Sequence, residues 1–221
     1  MQSKILVVDD EPGIRSLIMA YLQKEGYDLR EAADGPTAIK LTQTFKPDLI
    51  ILDIMLPGMD GLEVLSLIRQ HSDPYIIFLT AKTEETDKIV GLTLGGDDYV
   101  TKPFSPRELT ARVKSALRRE QRKPEKQSII TSEHIRLDMN SRQIWVEGNL
   151  LDFTQVEFDI LHTFMLHHHQ VLSREQLLEH VWGYEFYGET RTVDVHVGHI
   201  RKKLGDRFIS TIRGVGYRFD D

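Results

Sequence analysis

The 221-residue sequence contains no cysteine and no long apolar run. Without cysteine there is no disulfide framework, no thiolate zinc site and no cysteine nucleophile. The longest aliphatic runs, such as Ile5–Val8 and Leu49–Leu52, have four residues, whereas a membrane-spanning helix needs about 20. No charged and then apolar signal peptide precedes the first predicted strand. These absences predict a soluble cytoplasmic protein that does not contact a membrane.

The charge of the chain is nearly balanced in total but uneven along its length. Lys and Arg number 28 against 34 Asp and Glu, which excludes a protein that coats nucleic acid indiscriminately. Residues 147–189 hold eight acidic side chains against one arginine, whereas residues 191–219 hold seven basic against two acidic. A single charge run is most often a solvated surface. A basic segment next to an acidic one nevertheless permits a basic face for nucleic acid.

Residues 1–121 alternate between short apolar runs and segments with helical periodicity. This alternation predicts an α/β domain with five parallel strands, doubly wound by helices on both faces of the sheet. The predicted strands are Lys4–Val8, Tyr27–Glu31, Leu49–Leu52, Tyr75–Leu79 and Tyr99–Thr101. The predicted helices are Ile14–Glu25, Thr37–Phe45, Glu63–His71, Thr86–Leu94 and Pro106–Arg119.

A polar linker at residues 122–127 separates this domain from a second one at residues 128–221. The second domain is predicted to be α+β, because four short strand-like segments precede three helices and a final hairpin around Arg213–Gly216. Two of the helices begin with capping boxes, Thr154 to Glu157 and Ser173 to Gln176. The third, near Thr192–Leu204, has its apolar residues at spacings of 4, 3 and 4.

Polar residues follow the predicted strands of the first domain, at the edge where ligands bind in open parallel sheets. Asp9 and Asp10 follow the first strand, Asp53 the third, Thr80 the fourth and Lys102 the fifth. Each alone has an ordinary explanation as a cap, a turn residue or a surface charge. Together they predict a Mg²⁺ site, because facing carboxylates repel unless a hard cation binds them. Asp53 would then be free to attack a phosphoryl group.

Four motifs in this region, VVDDE, LDIMLPGMDG, FLTAK and GGDDYVTKPF, resemble the receiver domain of two-component response regulators. The resemblance covers about residues 2–121. It implies that Asp53 accepts phosphate from a sensor histidine kinase and that Lys102 and Thr80 contact that phosphate. It also implies a Mg²⁺ site formed by Asp9, Asp10, Asp53 and the backbone carbonyl of Met55.

The same resemblance implies a switch and a dimer. Tyr99 would swing inward as Thr80 engages the phosphate, although the residues alone favour a half-buried aromatic on an edge strand. Phosphorylation would then favour a homodimer through one face of the receiver. The candidate interface residues are Lys88, Ile89, Asp98, Glu108, Arg112 and Arg119.

In the second domain, FTQVEFDIL, LSREQLLEHVWG, RTVDVHVGHIRKKLG and TIRGVGYRF resemble the winged helix-turn-helix output domain of the OmpR/PhoB subfamily. The resemblance implies a recognition helix in the major groove, a wing in the minor groove, direct-repeat promoter half-sites and an RNA polymerase contact near Trp182–Tyr187. The candidate DNA-binding residues are Arg191, Thr192, Val195, His196, His199, Arg201, Lys202 and Arg213. Relatives often carry basic residues where this helix has Gly198 and His199, so weaker and less salt-dependent binding is expected.

The leading prediction is a phosphorylation-dependent DNA-binding transcriptional regulator, and two alternatives remain. A dimeric DNA-binding regulator that never uses its receiver site would have the same domains. An aspartyl-phosphate phosphatase would use the same nucleophile, but hydrolases similar to the haloacid dehalogenase family place a general-acid Asp where this chain has Met55. We therefore expect no enzyme activity beyond self-phosphorylation from a donor and slow self-dephosphorylation.

Overall fold

The structure, a computed structural model, describes residues 2–80, 95–120, 129–183 and 190–221. The chain divides into two compact units, residues 1–120 and 121–221, and each is described separately below. The predicted helix Thr86–Leu94 and the predicted linker at residues 122–127 lie outside the described residues.

The first unit is built on a parallel sheet with the strand order β2-β1-β3-β4-β5. The strands are β1 (Lys4–Val8), β2 (Asp28–Ala32), β3 (Leu49–Asp53), β4 (Tyr75–Thr80) and β5 (Asp98–Thr101). Every residue of β3 and β4 is buried, which is the pattern of strands covered on both faces. The predicted α/β sheet is confirmed.

Four helices of this unit are described. They are α1 (Pro12–Gln23), α2 (Gly35–Phe45), α3 (Gly61–Arg69) and α4 (Pro106–Glu120). The first three begin two residues before their predicted starts, because the first turn of each contains Pro or Gly rather than the apolar residues that mark the periodicity. Side chains cap two of them, since Asp34 accepts a hydrogen bond from the Thr37 N–H and Asp60 accepts from the N–H groups of Leu62 and Glu63.

The second unit begins with an antiparallel sheet and continues with three helices. The sheet is formed in order by β6 (Ile129–Thr131), β7 (Ile135–Asp138), β8 (Gln143–Val146) and β9 (Asn149–Leu151). The helices are α5 (Gln155–Leu166), α6 (Arg174–Trp182) and α7 (Arg191–Leu204). Both predicted capping boxes are present, at Thr154 and at Ser173.

A second antiparallel sheet completes this unit, with the order β10-β12-β11. Its strands are β10 (Val171–Ser173), β11 (Ile209–Ile212) and β12 (Gly216–Phe219). The hairpin of β11 and β12 was predicted, whereas β10 was not. Ser173 was predicted only as the start of a capping box, but it pairs with Gly216, and Leu172 pairs with Tyr217. The predicted order of sheet, three helices and hairpin is confirmed.

Candidate functional site

The carboxyl edge of the parallel sheet brings together the acidic residues predicted there. Asp53 ends β3, and Asp9 and Asp10 follow β1 directly. Asp9 is 0 % exposed and Asp53 is 3 % exposed, whereas Asp10 is exposed. One carboxylate oxygen from each lies within 4.8 Å of the others. Three carboxylate oxygens at that spacing can bind one divalent cation, whose remaining ligands would be water.

Lys102 connects the two buried carboxylates. Its Nζ lies 2.7 Å from Oδ2 of Asp53 and 2.7 Å from Oδ2 of Asp9. The opposite oxygens accept backbone hydrogen bonds, Asp53 Oδ1 from the Met55 N–H at 3.0 Å and Asp9 Oδ1 from the Glu11 N–H at 2.9 Å. One ammonium group is therefore shared between two buried carboxylates.

The charge of this pocket is incompletely compensated. Burial raises the pKa of Asp9, and Lys102 opposes the rise only in part. The contact of Lys102 with Asp9 Oδ2 is an ion pair rather than a well-directed hydrogen bond, so this buried oxygen keeps acceptor capacity. A hard cation fits such an oxygen set, and Asp9, Asp10 and Asp53 are the residues that would hold Mg²⁺.

Two features that shape the pocket were missed by sequence reasoning. Arg15 of α1 donates from Nη1 to the backbone carbonyls of Asp9 (2.7 Å) and Asp10 (3.0 Å), which fixes the acidic loop. Gly61 starts α3 against the end of β3, where a Cβ would lie 2.2 Å from the Asp53 carbonyl oxygen. A sequence pattern cannot distinguish Arg15 from a surface arginine, because its partners come together only in the fold.

The predicted switch residues lie on adjacent strands. Thr80 ends β4, at the same edge of the sheet as Asp53, and is 1 % exposed. Tyr99 of β5 pairs in register with Phe78 and is already buried in this structure. The predicted inward movement of Tyr99 stays a prediction.

The structure corrects the predicted dimer interface at two positions. Asp98 and Arg112 are buried and pair with each other, with Arg112 Nη1 2.9 Å from Asp98 Oδ1. Arg112 Nη2 also lies 2.8 Å from Glu108 Oε1, within the same helix. Burial and these contacts remove Asp98 and Arg112 from the accessible surface. The candidates Lys88 and Ile89, and the side chain of Arg119, lie outside what the structure describes.

Helix α7 of the second unit presents a narrower outer face than predicted. Arg191 and Lys202 are exposed, and Val195 is partly exposed. Thr192 and His196 are each 1 % exposed, so the prediction that they contact DNA is corrected. Both lie on the buried side of the helix, where the His196 ring lies 5.6 Å from the Trp182 ring.

His199 also turns inward, toward the buried carboxylate of Glu157. Its Nδ1 lies 3.5 Å from Glu157 Oε1, and only 12 % of its side chain is exposed. Glu157 Oε2 accepts the backbone N–H of Thr154 at 2.9 Å and lies 2.5 Å from Lys203 Nζ. Although burial opposes ionisation, the contacts with His199 and Lys203 lower the pKa of Glu157 to about 2. His199 therefore belongs to a structural cluster rather than to the outer face.

The flank of α7 opposite His199 forms hydrogen bonds with the hairpin. Arg201 donates from Nη2 to the Ile209 carbonyl at 2.7 Å and to Thr211 Oγ1 at 2.8 Å. On the same flank, Asp194 Oδ1 accepts from the Tyr217 hydroxyl at 2.7 Å and from Arg174 Nε at 2.6 Å. In this structure Arg201 stabilises the domain, although it was predicted as a DNA contact.

The predicted wing tip is exposed. Arg213 follows β11 directly, and Gly214 adopts a left-handed conformation with φ +73°. The turn is closed by the Val215 N–H, which donates to the Ile212 carbonyl at 3.0 Å. Arg213 and Val215 are both exposed at this tip, which leaves a cation and an apolar side chain available for a partner.

Comparisons with known proteins agree with both halves of this description. Residues 5–114 match the response regulator receiver domain, and residues 148–219 match the C-terminal domain of transcriptional regulatory proteins. The alkaline phosphatase synthesis transcriptional regulatory protein PhoP of Bacillus subtilis is 44% identical over 100% of this chain and 98% of its own length. The chain belongs to the OmpR/PhoB family of response regulators.

Further relatives of this response regulator support the assignment along the whole chain. The transcriptional regulatory protein SrrA of Staphylococcus aureus is 41% identical over 100% of this chain and 96% of its own length. The crystal structure of DrrB, a Thermotoga maritima OmpR/PhoB homologue, is 32% identical, covers 100% of both chains and has a TM-score of 0.55. A RitR mutant structure, 27% identical, covers 99% of both chains with a TM-score of 0.79.

The response regulator thus combines a receiver with a DNA-binding effector domain. Within the described ranges, it has no helix that is long and apolar enough to span a membrane. The loop predicted to contact RNA polymerase falls mostly outside the described residues. Its first residue, Trp182, is 2 % exposed, so Trp182 is a core residue rather than part of an exposed aromatic loop.

Proposed function

We propose that this response regulator accepts a phosphoryl group on Asp53 from a sensor histidine kinase and becomes a dimer that binds repeated promoter half-sites. The observation that carries the proposal is the position of Lys102, whose Nζ lies 2.7 Å from carboxylate oxygens of both Asp53 and Asp9. From this position, the ammonium group of Lys102 can contact the Asp53 carboxylate first and then an oxygen of the incoming phosphoryl group.

In the proposed reaction, a carboxylate oxygen of Asp53 attacks the phosphorus of a phosphohistidine. The oxygen–phosphorus bond forms while the phosphorus–nitrogen bond breaks, and the departing imidazole takes up a proton. Lys102 contacts an equatorial oxygen of the transferred group, and the Met55 N–H holds Asp53 in position. Asp9, Asp10 and Asp53 would hold Mg²⁺, which would supply further charge neutralisation when bound.

Thr80 and Tyr99 are the proposed link between the pocket and the receiver surface. Their strands are adjacent, with Thr80 opposite Thr101 and Phe78 opposite Tyr99. A Thr80 hydroxyl drawn to the phosphate changes the packing beside Tyr99, which biases the receiver between two states. One of these states pairs with a second receiver through the face that carries β5 and α4.

A receiver dimer brings two output domains onto neighbouring direct repeats. Joining the domains raises affinity through effective concentration, without any new contact in each half-site. In each output domain α7 lies in the major groove and the hairpin tip at Arg213 reaches the minor groove. RNA polymerase is the proposed recipient of the signal.

We expect no enzymatic turnover beyond the chemistry of the protein's own aspartyl phosphate. The position two residues after Asp53, which would carry a general acid in a phosphatase, is Met55, and its side chain is 56% exposed. A thioether cannot donate a proton to a leaving group. Hydrolysis therefore depends on water alone and is slow.

The test compares wild type with Asp53→Asn, with acetyl phosphate and Mg²⁺ present. Size-exclusion chromatography with light scattering should show donor-dependent dimers for wild type and only monomers for the variant. Asp28→Asn is the matched control, because Asp28 is a partly exposed aspartate of β2 paired with Arg30 outside the pocket. It should dimerise like wild type.

Any of three results would contradict the proposal. If the Asp53→Asn variant dimerises on addition of the donor, phosphorylation at Asp53 is not the trigger. If wild type dimerises and binds DNA equally with and without donor, the protein is a phosphorylation-independent regulator. Rapid release of phosphate from small phosphorylated substrates would instead indicate a phosphatase.

A further inference from the structure

The outer face of α7 consists of one stripe of four residues. Arg191, Val195, Gly198 and Lys202 follow one another at spacings of 4, 3 and 4. They lie opposite the buried residues Val193, Val197, Ile200 and Leu204, which have the same spacing. At a rise of about 1.5 Å per residue, the two cations are about 16 Å apart, and the uncharged pair lies between them.

The side chains on both flanks of this stripe are committed to the domain itself. Asp194 and Arg201 bind the hairpin and α6, as described above. His199 and Lys203 face Glu157 on the other side. In this fully described helix, no cation remains on the outer face between Arg191 and Lys202.

Gly198 has no explanation inside the molecule. A Cβ at this position would meet no atom within 4 Å, and the residue is not among the glycines with positive φ. Glycine in a helix interior lowers stability relative to alanine. A residue that costs stability and serves neither packing nor backbone conformation points to a contact outside the chain, where a missing side chain allows close approach of the helix backbone.

We infer that the centre of α7 reads thymine methyl groups, and this inference rests on the proposed function. In the major groove, only thymine among the four bases presents a methyl group, which apolar side chains contact. Val195 supplies such a side chain, and Gly198 lets the helix lie deep enough for it to reach. Guanine is read mostly by Arg or Lys, and neither occurs at these two positions. Arg191 and Lys202 bind phosphates on both sides of this apolar centre.

The experiment selects binding sites from random-sequence DNA with the full-length protein, Mg²⁺ and acetyl phosphate. Each thymine of the selected half-site is then replaced by uracil, which removes only the C5 methyl group. At the central positions, we expect affinity to fall about fourfold for each methyl removed. Replacing thymines at the edges of the half-site is the matched control and should leave affinity unchanged.

Three variants, the last of them a control, connect this effect to the helix. Val195→Ala should abolish the difference between thymine and uracil at one central position, which a merely structural role would not do. Gly198→Ala should raise the thermal unfolding midpoint of the output domain and lower affinity for the selected DNA several-fold. Lys202→Ala should weaken binding to all DNA alike and leave the thymine-to-uracil ratio as in wild type.

The outcomes separate this inference from the proposed function. Selection of the same sites without acetyl phosphate would contradict the phosphorylation switch, while the uracil substitutions would still judge the inference. Equal affinity for thymine and uracil at every position, or G·C pairs at the centre of the half-site, would overturn the inference alone. Failure to enrich any sequence would overturn it as well, because no base would then be read.

Discussion

Asp9 and Glu157 are both buried carboxylates, but their surroundings are opposite. Asp9 shares a single ammonium group with Asp53, and burial raises its pKa. Glu157 accepts a backbone N–H from its own helix start and contacts both Lys203 and His199. These contacts overcome the effect of burial and lower its pKa to about 2.

The difference shows how a buried carboxylate can keep the capacity for an external ligand in one domain and be purely structural in the other. The receiver pocket has more buried negative charge than Lys102 neutralises, so its carboxylate oxygens have the capacity to bind a metal ion. The carboxylate of Glu157 is fully compensated, so it has no capacity for an external ligand. It fixes α7 to the start of α5 instead.

The largest expected loss of stability comes from removing the buried charge of Glu157. Glu157→Gln keeps a side chain that can complete the capping box but leaves Lys203 and His199 without their anion. We expect the free energy of unfolding of the output domain to fall by about 3 kcal/mol. Urea denaturation followed by tryptophan fluorescence measures this, because Trp145 and Trp182 both belong to the second unit. A change below about 0.5 kcal/mol would mean that Glu157 is not a stabilising centre.

The two domains should respond oppositely to acid through these groups. The folded pKa of Glu157, about 2, lies below the ordinary value of 4.5. Its contribution, on the order of 3 kcal/mol, is therefore present above pH 4.5 and lost as the pH falls toward 2. In the receiver, burial raises the pKa of Asp97 to about 7, against the opposing charge of Arg69. Its contribution is fully present below its ordinary pKa of 3.8 and is lost as the pH rises from there through about 7.

Denaturation between pH 3 and 8 tests both slopes. Tryptophan fluorescence reports the output domain, and calorimetry reports both domains. Asp97→Asn should flatten the pH dependence of the receiver's stability between 3.8 and about 7, and Glu157→Gln should flatten that of the output domain below 4.5. Parallel curves for the two domains would show that other groups govern their pH dependence.

Removing one buried charge from the receiver pocket should stabilise the receiver domain. Asp9→Asn removes a buried charge, so we expect the receiver's free energy of unfolding to rise by about 1 kcal/mol in the absence of metal. The same variant should lose the increase in unfolding temperature that Mg²⁺ gives wild type. Calorimetry with EDTA or with Mg²⁺ measures both effects. A destabilised Asp9→Asn receiver in EDTA would show that Lys102 compensates the pocket fully.

The smallest effect is expected where a carboxylate is exposed. Glu147 contacts Arg207, and more than half of each side chain is accessible to solvent. Glu147→Gln should change the free energy of unfolding by less than about 0.5 kcal/mol, because water screens such pairs. This variant is the matched control for Glu157→Gln in the same fluorescence assay. An equal loss in both variants would remove burial as the explanation of the difference.

The sequence predicted which side chains meet in the receiver pocket, because each of them lies at or just after the end of a strand. Once the strands are placed, Asp53 and Thr80 must meet at one edge of the sheet. The contacts that shape the pocket were not predictable in this way. Position 61 must be glycine because its backbone lies too close to the Asp53 carbonyl for a side chain. Arg15 matters because it donates to two carbonyls of a neighbouring loop. Neither contact produces a periodic pattern in the sequence.

The output domain shows the same limit. The periodicity of α7 identified its buried face, but polar residues carry no such signal. Thr192 and His196 were therefore predicted on the wrong side of the helix, and the attraction of His199 to Glu157 could not be seen. Strand β10 was missed because its last residue is also the cap of α6, and only its pairing with β12 defines it as a strand.

The bonds that join α7 to the hairpin have a consequence for the DNA itself. Arg201 fastens the helix to β11, and Tyr217 of β12 donates to Asp194 of the helix. Under the proposed function, the helix and the hairpin therefore contact DNA together, with the opening between them set by these bonds. A promoter whose groove widths differ from that opening must bend or twist to fit. Flexible base steps between the two contacts would then raise affinity without being touched.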